Sequence, residues 1–425
     1  MHGTNSLISD ATAPTQQDDP IRDEVNRRVA ELDEALIEFR RDLHAHPEVG
    51  HQEFRTTGQI MSALERAGLA PEVLAMGTGV QVDVLPPGHD GTDLLALRAD
   101  IDALPITESA EVAYASQNPG VCHACGHDVH TTAAVGAAVV LAGLRDEGQL
   151  ERGVRVIFQP AEEVQPGGAE QVIAGGALDG VTEVYALHCD PKVEVGRIGL
   201  KVGALTSAAD QIVVRATGSG GHTSRPHLTQ DLVGALGALA CEAPLLLSRR
   251  IDPRGGVSLI WGRIRAGAAP NAVPGEGEIA GTLRALDPAG WEAAGALLPE
   301  LLEQIVAPYG VQIEVEHERG VPPTINHASG IDRFRASALR MLGPDSTEPT
   351  EQSLGGEDFA WMVRRVPGAL ARLGVRTPGV DSFADIHQPN FTVDERAIGV
   401  AVRLLVGLAT ATTDTLDLTG PPEPN

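Results

Sequence analysis

The chain has 425 residues, and its 32 basic and 58 acidic side chains give a formal net charge of −26. This negative charge, together with an aromatic content of only 3%, excludes a protein that binds nucleic acid through phosphate contacts and base stacking. The length predicts two or three domains, and an apolar fraction of 42% is sufficient for packed cores.

Four cysteines are too few for a disulfide framework, and the first residues lack the apolar core of a signal peptide. We therefore expect a cytoplasmic location. The nearly apolar run at 133–144 is shorter than the roughly 20 residues that a membrane span needs, so no membrane partner is expected.

Helical and strand patterns alternate in the first half of the chain. Apolar residues recur at helical spacing over 20–43, which predicts an amphipathic helix. Short aliphatic runs at 94–97, 154–158 and 181–187 then alternate with a helical pattern at 131–144. This alternation predicts a mixed sheet between layers of helices.

The pattern changes near residue 209. Strands are predicted at 212–216, 257–264, 278–284 and 311–317, and two long helices at 231–247 and 288–306. Their order is that of a compact β-α-β-β-α-β unit. Beyond residue 320, helices again flank short strands such as 369–373.

We predict an α/β fold in which a mixed-sheet α/β/α domain is interrupted by an inserted α+β, ferredoxin-like domain. The first domain comprises 20–208 and 319–418, and the insertion comprises 209–318. Tails are predicted at 1–19 and 419–425.

Residues 122–130 contain two thiols and three imidazoles just before a predicted helix. Thiolates and neutral imidazoles are preferred ligands of zinc-like ions, and a loop at a helix start can direct several of them to one point. Two alternatives to a metal site remain for this segment. Cys122 and Cys125 could form a redox pair, or the histidines could be core residues whose hydrogen bonds are satisfied.

Two adjacent carboxylates, Glu162 and Glu163, follow the strand predicted at 154–158, at the sheet edge where ligands usually bind. Neighbouring side chains there point in different directions, so one can bind a metal while the other acts as a general base. Without the neighbouring thiol–imidazole motif, the alternative is that Glu162 and Glu163 are ordinary solvent-exposed residues of the surface.

Two distant histidines complete a candidate metal centre. His188 follows the strand predicted at 181–187, and His387 lies in a downstream loop. Five ligands suit two ions that share one ligand, whereas one structural zinc needs only four. The five candidates are Cys125, His127, Glu163, His188 and His387.

The order of these motifs resembles the hippurate hydrolase and indole-acetyl-amino-acid hydrolase branch of the aminoacylase metallopeptidases. The resemblance covers about residues 25 to 408. Its motifs lie at 42–48, 98–105, 123–128, 159–163, 221–222 and 281–284.

The resemblance implies a two-metal amidohydrolase that splits an N-acyl amino acid into a carboxylic acid and a free amino acid. Cys125 resembles the ligand that bridges the metals, and Glu162 resembles the base. The insertion is similar to a lid that also forms the contacts of a homodimer. The ions expected are zinc, or manganese, cobalt or nickel.

Three residues of the insertion resemble substrate-contacting positions of that family. His222, flanked by glycines, resembles a histidine, often supplied by the partner subunit, that polarises the scissile carbonyl. Asn271 and Arg284 match positions that hold the substrate near its carboxylate, and a guanidinium suits a carboxylate because it can donate two parallel hydrogen bonds. The alternatives are a surface ion pair for Arg284 and a turn-forming role for Asn271.

Other polar residues near these motifs receive structural interpretations. Cys122 stands where this branch commonly has a Met-like residue, and we interpret it as a packing residue. His44, His46 and His51 mimic metal-ligand spacing but are interpreted as structural, and 355–359 is expected to support the site.

Two rival functions stay open. A dipeptidase or carboxypeptidase would use the same residues, because a peptide is also an acylated amino acid. A non-catalytic metal-binding protein could retain the fold for dimerisation. Metal analysis and a panel of acylated amino acids and dipeptides would separate the three.

Overall fold

The computed structural model describes residues 19–411. The two predicted tails therefore lie outside the described residues, apart from Asp19, as does 412–418 of the predicted first domain. Asp19 caps the first helix, because its carboxylate accepts a hydrogen bond from the backbone N–H of Arg22 at 3.0 Å.

The described elements alternate as the sequence patterns predict. The helices are α1 (Pro20–Ala45), α2 (Phe54–Arg66), α3 (His127–Asp146), α4 (Gly168–Ala174), α5 (Leu232–Arg250), α6 (Pro288–Val306), α7 (Ala328–Leu342), α8 (Ala360–Val363) and α9 (Arg396–Thr410). The strands of the first half are β1 (Glu72–Val73), β2 (Val80–Val84), β3 (Leu94–Asp100), β4 (Val154–Gln159), β5 (Val181–Glu194), β6 (Ile198–Leu200), β7 (Gly203–Ala204), β8 (Ala208–Thr217) and β9 (Gly221–His222). The later strands are β10 (Ser258–Ala266), β11 (Ala272–Val273), β12 (Glu276–Ala285), β13 (Gln312–Val321), β14 (Ile325–Asn326), β15 (Thr347–Pro349) and β16 (Gly368–Arg376).

A mixed eight-stranded sheet has the strand order β1-β2-β4-β3-β5-β16-β6-β15. Its central strands β4, β3, β5 and β16 run parallel, and every residue of β3 and β4 is buried. Continuous burial is typical of parallel strands that are covered on both faces. Helices α1, α3 and α9 contribute to the large core on one face, and α4 and α8 contribute to a smaller core on the other. The predicted mixed-sheet α/β/α architecture is confirmed.

The continuous segment 208–321 forms a second, antiparallel sheet in the order β10-β12-β8-β13. Ile212, Val214 and Ala216 alternate along β8 with more exposed residues and pack in a separate core with α5 and α6. Each of the four strands predicted in this segment has a counterpart. The last one continues to Val321, where it pairs with Ala209, so the sheet extends beyond the predicted boundary at 318.

Among the described helices, α5 is long and apolar enough by length and composition to cross a membrane, with a mean hydropathy of 1.4. It is a helix of the second unit, and its buried side chains Leu232, Leu236 and Leu239 pack in that unit's core. Asp231 caps its start by accepting a hydrogen bond from Gly234 N–H at 3.0 Å.

Candidate metal centre

Gly126 determines where the thiol–imidazole motif enters α3. Its φ of 86° lies in the left-handed region, and a Cβ there would lie 2.7 Å from Sγ of Cys189. The helix consequently begins at His127, earlier than the sequence pattern predicts, while Cys125 remains in the preceding loop. Sγ of Cys125 lies 3.4 Å from Nε2 of His188.

The imidazole of His127 is oriented by Asp102. Nδ1 lies 3.0 Å from the carbonyl oxygen of Asp102 and 3.2 Å from its carboxylate. Nε2 is buried and has no hydrogen-bond partner among residues 19–411. Burial opposes protonation of this ring, but the carboxylates of Asp100 and Asp102 raise the pKa of His127 to about 10 in the absence of a competing cation.

The loop after β4 directs Glu163 toward the same place. Ala161 has a left-handed φ of 58°, and its backbone N–H donates to the buried Glu53 carboxylate at 2.8 Å. The N–H of Glu163 donates to Asp102 at 2.9 Å. Oε1 of Glu163 is buried without a hydrogen-bond partner in the described chain, and it lies 3.8 Å from Nε2 of His127.

Two further histidines approach from β5 and from a late loop. His188 donates from Nδ1 to the carbonyl of Cys189 at 2.8 Å, which leaves Nε2 facing the thiol. Burial and the neighbouring Arg372 hold the pKa of His188 well below its usual range, which favours the neutral ring that a metal ligand requires. His387 lies at a left-handed φ of 64°, and its Nε2 is 3.2 Å from Oε1 of Glu163.

His188 lies within β5 rather than after it. The prediction that the strand ends at Leu187 is wrong, because β5 continues to Glu194 along β16, where Asp190 pairs with Gly374.

The five predicted ligands form two groups that share Cys125. One group is Cys125, His127 and His188, and the other is Cys125, Glu163 and His387; within each group the ligand atoms lie within 4.8 Å of one another. Two buried atoms that could bind a metal, Nε2 of His127 and Oε1 of Glu163, have no hydrogen-bond partner in the described chain. Together with the thiol and the two further imidazoles, they fit a pair of divalent ions that share a sulfur ligand. Burial and the carboxylates of Glu163 and Glu162 raise the pKa of Cys125 well above its usual range, so its thiolate requires a nearby cation.

Glu162 belongs to a second carboxylate cluster with Glu357 and Asp358, whose oxygens lie within 4.8 Å of one another. Burial, then the charge of Glu357, raises the pKa of Glu162 well above its usual range. The buried Arg98 guanidinium contacts Asp358 at 2.8 Å and Glu357 at 3.2 Å. Glu357 and Asp358 belong to the segment 355–359, which the sequence predicts to support the site, and both adjoin the predicted base Glu162.

A cavity of about 360 Å³ contains this chemistry. Arg284 reaches it from the second sheet, and Nη1 of Arg284 donates to the carbonyl oxygen of Leu354 at 3.0 Å. The cavity is also lined by the predicted base and by four of the predicted ligands, namely Glu162, Cys125, Glu163, His188 and His387.

His222 and Asn271 lie together but outside that cavity. His222 pairs with Ala272 across β9 and β11, and the N–H of Thr223 donates to the carbonyl of Asn271 at 3.2 Å. Both side chains are exposed, and neither lines the cavity that holds the ligand cluster. Within one subunit, the structure does not bring them to the metal centre.

The other sulfur and imidazole candidates have different surroundings. Cys122 is buried, forms a β-bridge with Leu104 and belongs to neither ligand group; burial raises its pKa to about 11. His44 lies 2.7 Å from the Asp128 carboxylate. His46 and His51 donate to the backbone carbonyls of Asp42 and Pro166 at 2.8 and 3.1 Å.

Sequence reasoning did not assign roles to Asp100 and Asp102. Asp102 orients two candidate ligands, whereas Asp100 is paired with Nδ1 of His130 at 2.6 Å and with Arg98 at 2.7 Å. Their position at the carboxyl end of β3 is the signal that could have identified them, because ligands gather at that edge of a parallel sheet.

Known proteins resemble this chain in sequence and in structure. The model of peptidase family M20/M25/M40 matches residues 96–411. An N-acyl-L-amino acid amidohydrolase of Geobacillus stearothermophilus is 35% identical over 342 residues, which are 80% of this chain and 90% of that protein. The crystal structure of a dinuclear metal-binding peptidase of the M20 family from Bacillus subtilis has a TM-score of 0.78 and 33% identity, covering 90% of this chain and 98% of that one.

One relative is much longer than this chain. A Rhodococcus jostii (strain RHA1) protein, named as a glutamate–cysteine ligase, is 46% identical over 379 residues. The match covers 89% of this chain and 47% of that protein, so the chain spans about half the length of this relative.

Proposed function

The chain belongs to peptidase family M20/M25/M40, and on that premise we propose that it is a metal-dependent amidohydrolase that cleaves N-acyl amino acids. The products are a carboxylic acid and a free amino acid. The observation that carries this proposal is the convergence of two ligand groups on Cys125, in a cavity that also contains the Glu162 carboxylate and Arg284.

We propose that the ligand cluster holds two divalent ions, with zinc favoured by the thiolate and manganese, cobalt or nickel as alternatives. When bound, such ions polarise a carbonyl and lower the pKa of water. The residues that would hold them are Cys125, His127, Glu163, His188 and His387.

Glu162 is the proposed general base. It adjoins the ligand cluster, and its raised pKa brings it closer to the range in which a carboxylate both accepts and returns a proton. Its carboxylate oxygen would accept a proton from the attacking water and then donate that proton to the nitrogen of the departing amino acid.

Arg284 is the proposed ligand for the substrate's α-carboxylate. It lines the same cavity, and among residues 19–411 its side chain donates one hydrogen bond, from Nη1 to the Leu354 carbonyl. The remaining N–H groups are available for charge-assisted hydrogen bonds with a carboxylate.

We propose a homodimer in which His222 and Asn271 act in the partner's site. Both are exposed on the second unit and outside their own cavity. Apolar side chains are also exposed there, on α5 and on the edge strand β10, including Leu245, Ile260 and Ile264. An exposed edge strand with apolar neighbours favours pairing with a second copy around a two-fold axis.

The hippurate and indole-acetyl-amino-acid branch is the proposed place of this chain within the family, and the motif order supports it. A dipeptidase is the rival, because Arg284 would bind the carboxylate of a dipeptide equally well. The cytoplasmic location is likewise a proposal, supported by the low cysteine content.

The direct test combines elemental analysis with a substrate panel. The protein purified from metal-replete medium should contain about two divalent ions per chain and hydrolyse N-acetyl and N-benzoyl amino acids, hippurate included, faster than dipeptides. A metal-loaded protein that cleaves none of the acylated amino acids would contradict the proposal. Faster cleavage of dipeptides would favour the rival.

A further inference from the structure

Arg372 lies beside the metal centre on the central strand β16. It pairs with His188 across β5 in parallel register and with Gly199 across β6. Residues paired across neighbouring strands project from the same face of a sheet, so Arg372 and His188 lie on the same face. The Arg372 residue is only 8% exposed.

Arg372 has neither a carboxylate within 4.0 Å nor a hydrogen-bond acceptor for its side chain among residues 19–411. Four other arginines in this part of the chain are equally or more deeply buried. Each of those four contacts a carboxylate: Arg40 with Asp128 at 2.6 Å, Arg98 with Asp100 at 2.7 Å, Arg155 with Asp83 at 2.7 Å, and Arg333 with Glu183 at 2.9 Å. No nitrogen of Arg372 is among the buried atoms of residues 19–411 that lack a hydrogen-bond partner, and the residue lines two cavities, so its guanidinium is placed to bind an anion there.

The position of Arg372 indicates where that anion would lie. Arg372 lines the 360 Å³ cavity of the metal centre and also a neighbouring cavity of about 580 Å³. Ser353 and Ile386 line both cavities as well. Arg284 lines only the smaller cavity, so the two guanidinium groups occupy different parts of the combined space.

We propose that Arg372 binds a second carboxylate of the substrate, in addition to the α-carboxylate assigned to Arg284. This inference rests on the proposed function and narrows its substrate class to N-acyl amino acids with two carboxylates. The second carboxylate belongs either to a dicarboxylic acyl group or to the side chain of an acidic amino acid. Both sources present the same planar anion to the guanidinium.

The larger cavity limits where such an anion can bind. Its lining includes four acidic side chains, from Asp190, Glu348, Glu351 and Asp385, and besides Arg372 one basic side chain, that of Lys192. These carboxylates repel an anion, so the second carboxylate should remain beside Arg372. Recognition of the second carboxylate therefore depends on Arg372 itself and not on a general attraction of anions to the larger cavity.

Two matched substrate pairs test the proposal and separate the sources. N-acetylglutamate is compared with N-acetylglutamine, and N-succinylmethionine with its succinamide analogue. We expect the metal-loaded protein to hydrolyse the substrate with two carboxylates, the dianion, faster than its amide analogue, the monoanion, in at least one pair. A preference in the glutamate pair assigns the second carboxylate to the amino-acid side chain, and a preference in the succinyl pair assigns it to the acyl group. Arg372→Met should raise KM for that dianion by about 10- to 100-fold and should lower the ratio of kcat/KM for the dianion to kcat/KM for the monoanion by a similar factor.

Two further variants control this comparison. Arg372→Lys keeps the charge and should retain part of the preference, whereas Arg335→Met removes an exposed arginine on α7 and should have no effect. Metal content and circular dichroism identify misfolded variants. If Arg372→Met does not fold, the wild-type preference within the pairs decides the question.

Equilibrium binding separates this inference from the proposed function. Glutarate should bind the metal-loaded protein more tightly than butyrate, and Arg372→Met should abolish the difference. If no N-acyl amino acid is hydrolysed but this difference is seen, the proposed function fails and the anion site stands. If acylated amino acids are hydrolysed, yet neither pair nor the glutarate comparison reveals a preference, the inference is overturned and the function stands.

Discussion

Asp102 accepts hydrogen bonds from two ligands of the candidate metal centre, and its relationship with His127 involves both its backbone and its side chain. Nδ1 of His127 lies 3.0 Å from the Asp102 carbonyl oxygen and 3.2 Å from its carboxylate. The other carboxylate oxygen accepts the Glu163 N–H at 2.9 Å. One residue therefore orients ligands from two separate loops.

Asp102→Asn should weaken metal binding by about 10- to 100-fold while the fold is retained. The carboxylate uses one oxygen for His127 and the other for Glu163, and in the amide one of these two oxygens is replaced by an NH2 group, which cannot accept a hydrogen bond. Competition with a chromogenic chelator measures the affinity. Asp83→Asn alters a carboxylate that pairs with Arg155 away from the ligands and is the control. Equal affinities in both variants would contradict the assignment.

Glu162→Gln should lower kcat by about 10²- to 10⁴-fold, because the amide cannot accept a proton from water. Metal content should stay near that of the wild type, because the five proposed ligands do not include Glu162, whose carboxylate lies within 4.8 Å of ligand atoms of His127 and Glu163. Steady-state kinetics and elemental analysis check both expectations. Glu170→Gln, at an exposed position of α4, should leave turnover unchanged. Undiminished hydrolysis by Glu162→Gln would refute its role as base.

Arg284→Ala should raise KM for N-acyl amino acids by about 10- to 100-fold and alter kcat less. The physical reason is the loss of charge-assisted hydrogen bonds to the α-carboxylate. Substrates in which that carboxylate is amidated supply the comparison, because they should respond little. Arg263→Ala removes a surface arginine that pairs with Glu278 and serves as the matched control. An equal effect on amidated substrates would remove the assigned role.

Mixed dimers can show whether His222 acts in the partner's site. His222→Ala and Glu162→Ala proteins should each be nearly inactive. After subunit exchange at equal concentrations, about a quarter of wild-type activity should return if His222 acts across a two-fold dimer. Half of the dimers are then mixed, and one of their two sites has both groups intact. Action within the same subunit predicts no recovery.

Glu183 should give the fold a measurable acid sensitivity. Burial opposes its ionisation, but hydrogen bonds from Tyr185 and the charges of Arg333 and Arg152 lower its pKa below the usual value. A carboxylate whose pKa is lower in the folded than in the unfolded state stabilises the fold at pH values above its unfolded-state pKa. This stabilisation is lost as the pH falls through the folded-state pKa. Glu183→Gln should therefore lower the free energy of unfolding by about 1 to 3 kcal/mol at neutral pH.

Urea titrations of the metal-free protein at several pH values test this expectation. The difference between wild type and Glu183→Gln should shrink below about pH 4, where the unfolded carboxylate is protonated. Glu151→Gln, at an exposed carboxylate, should show no comparable difference at any pH. A difference that is constant down to strongly acidic pH would indicate that packing rather than charge is responsible.

Periodicity predicted the architecture because burial imposes it directly. Every residue of β3 and β4 is buried, and the sequence of both strands is rich in aliphatic residues. Gly126 and Ala161 adopt left-handed conformations that bring separate loops together, and no periodic pattern reports such a conformation. The candidate ligands could be selected from the sequence because Cys, His and Glu are the residue types that bind divalent metals, and the structure places the five of them in two groups around Cys125.

Relationships between distant residues could not be predicted in the same way. The contact of Arg284 with Leu354 depends on how the second unit lies against the first. That no carboxylate of residues 19–411 pairs with Arg372 depends on every element that neighbours it. Four comparably buried arginines of the described chain have carboxylate partners, and for Arg40, Arg155 and Arg333 these partners are distant in the sequence.

The conformation of Gly126 also limits protein engineering of this centre. A side chain at this position would meet the thiol of Cys189 and would strain a backbone whose φ is 86°. The separation between the sulfur of Cys125 and the ring of His127 is thus constrained by a peptide at which any side chain would strain the backbone and displace Cys189. Attempts to change which cation the centre binds should therefore replace the ligand residues themselves, because a substitution at Gly126 is a poor way to alter the spacing between Cys125 and His127.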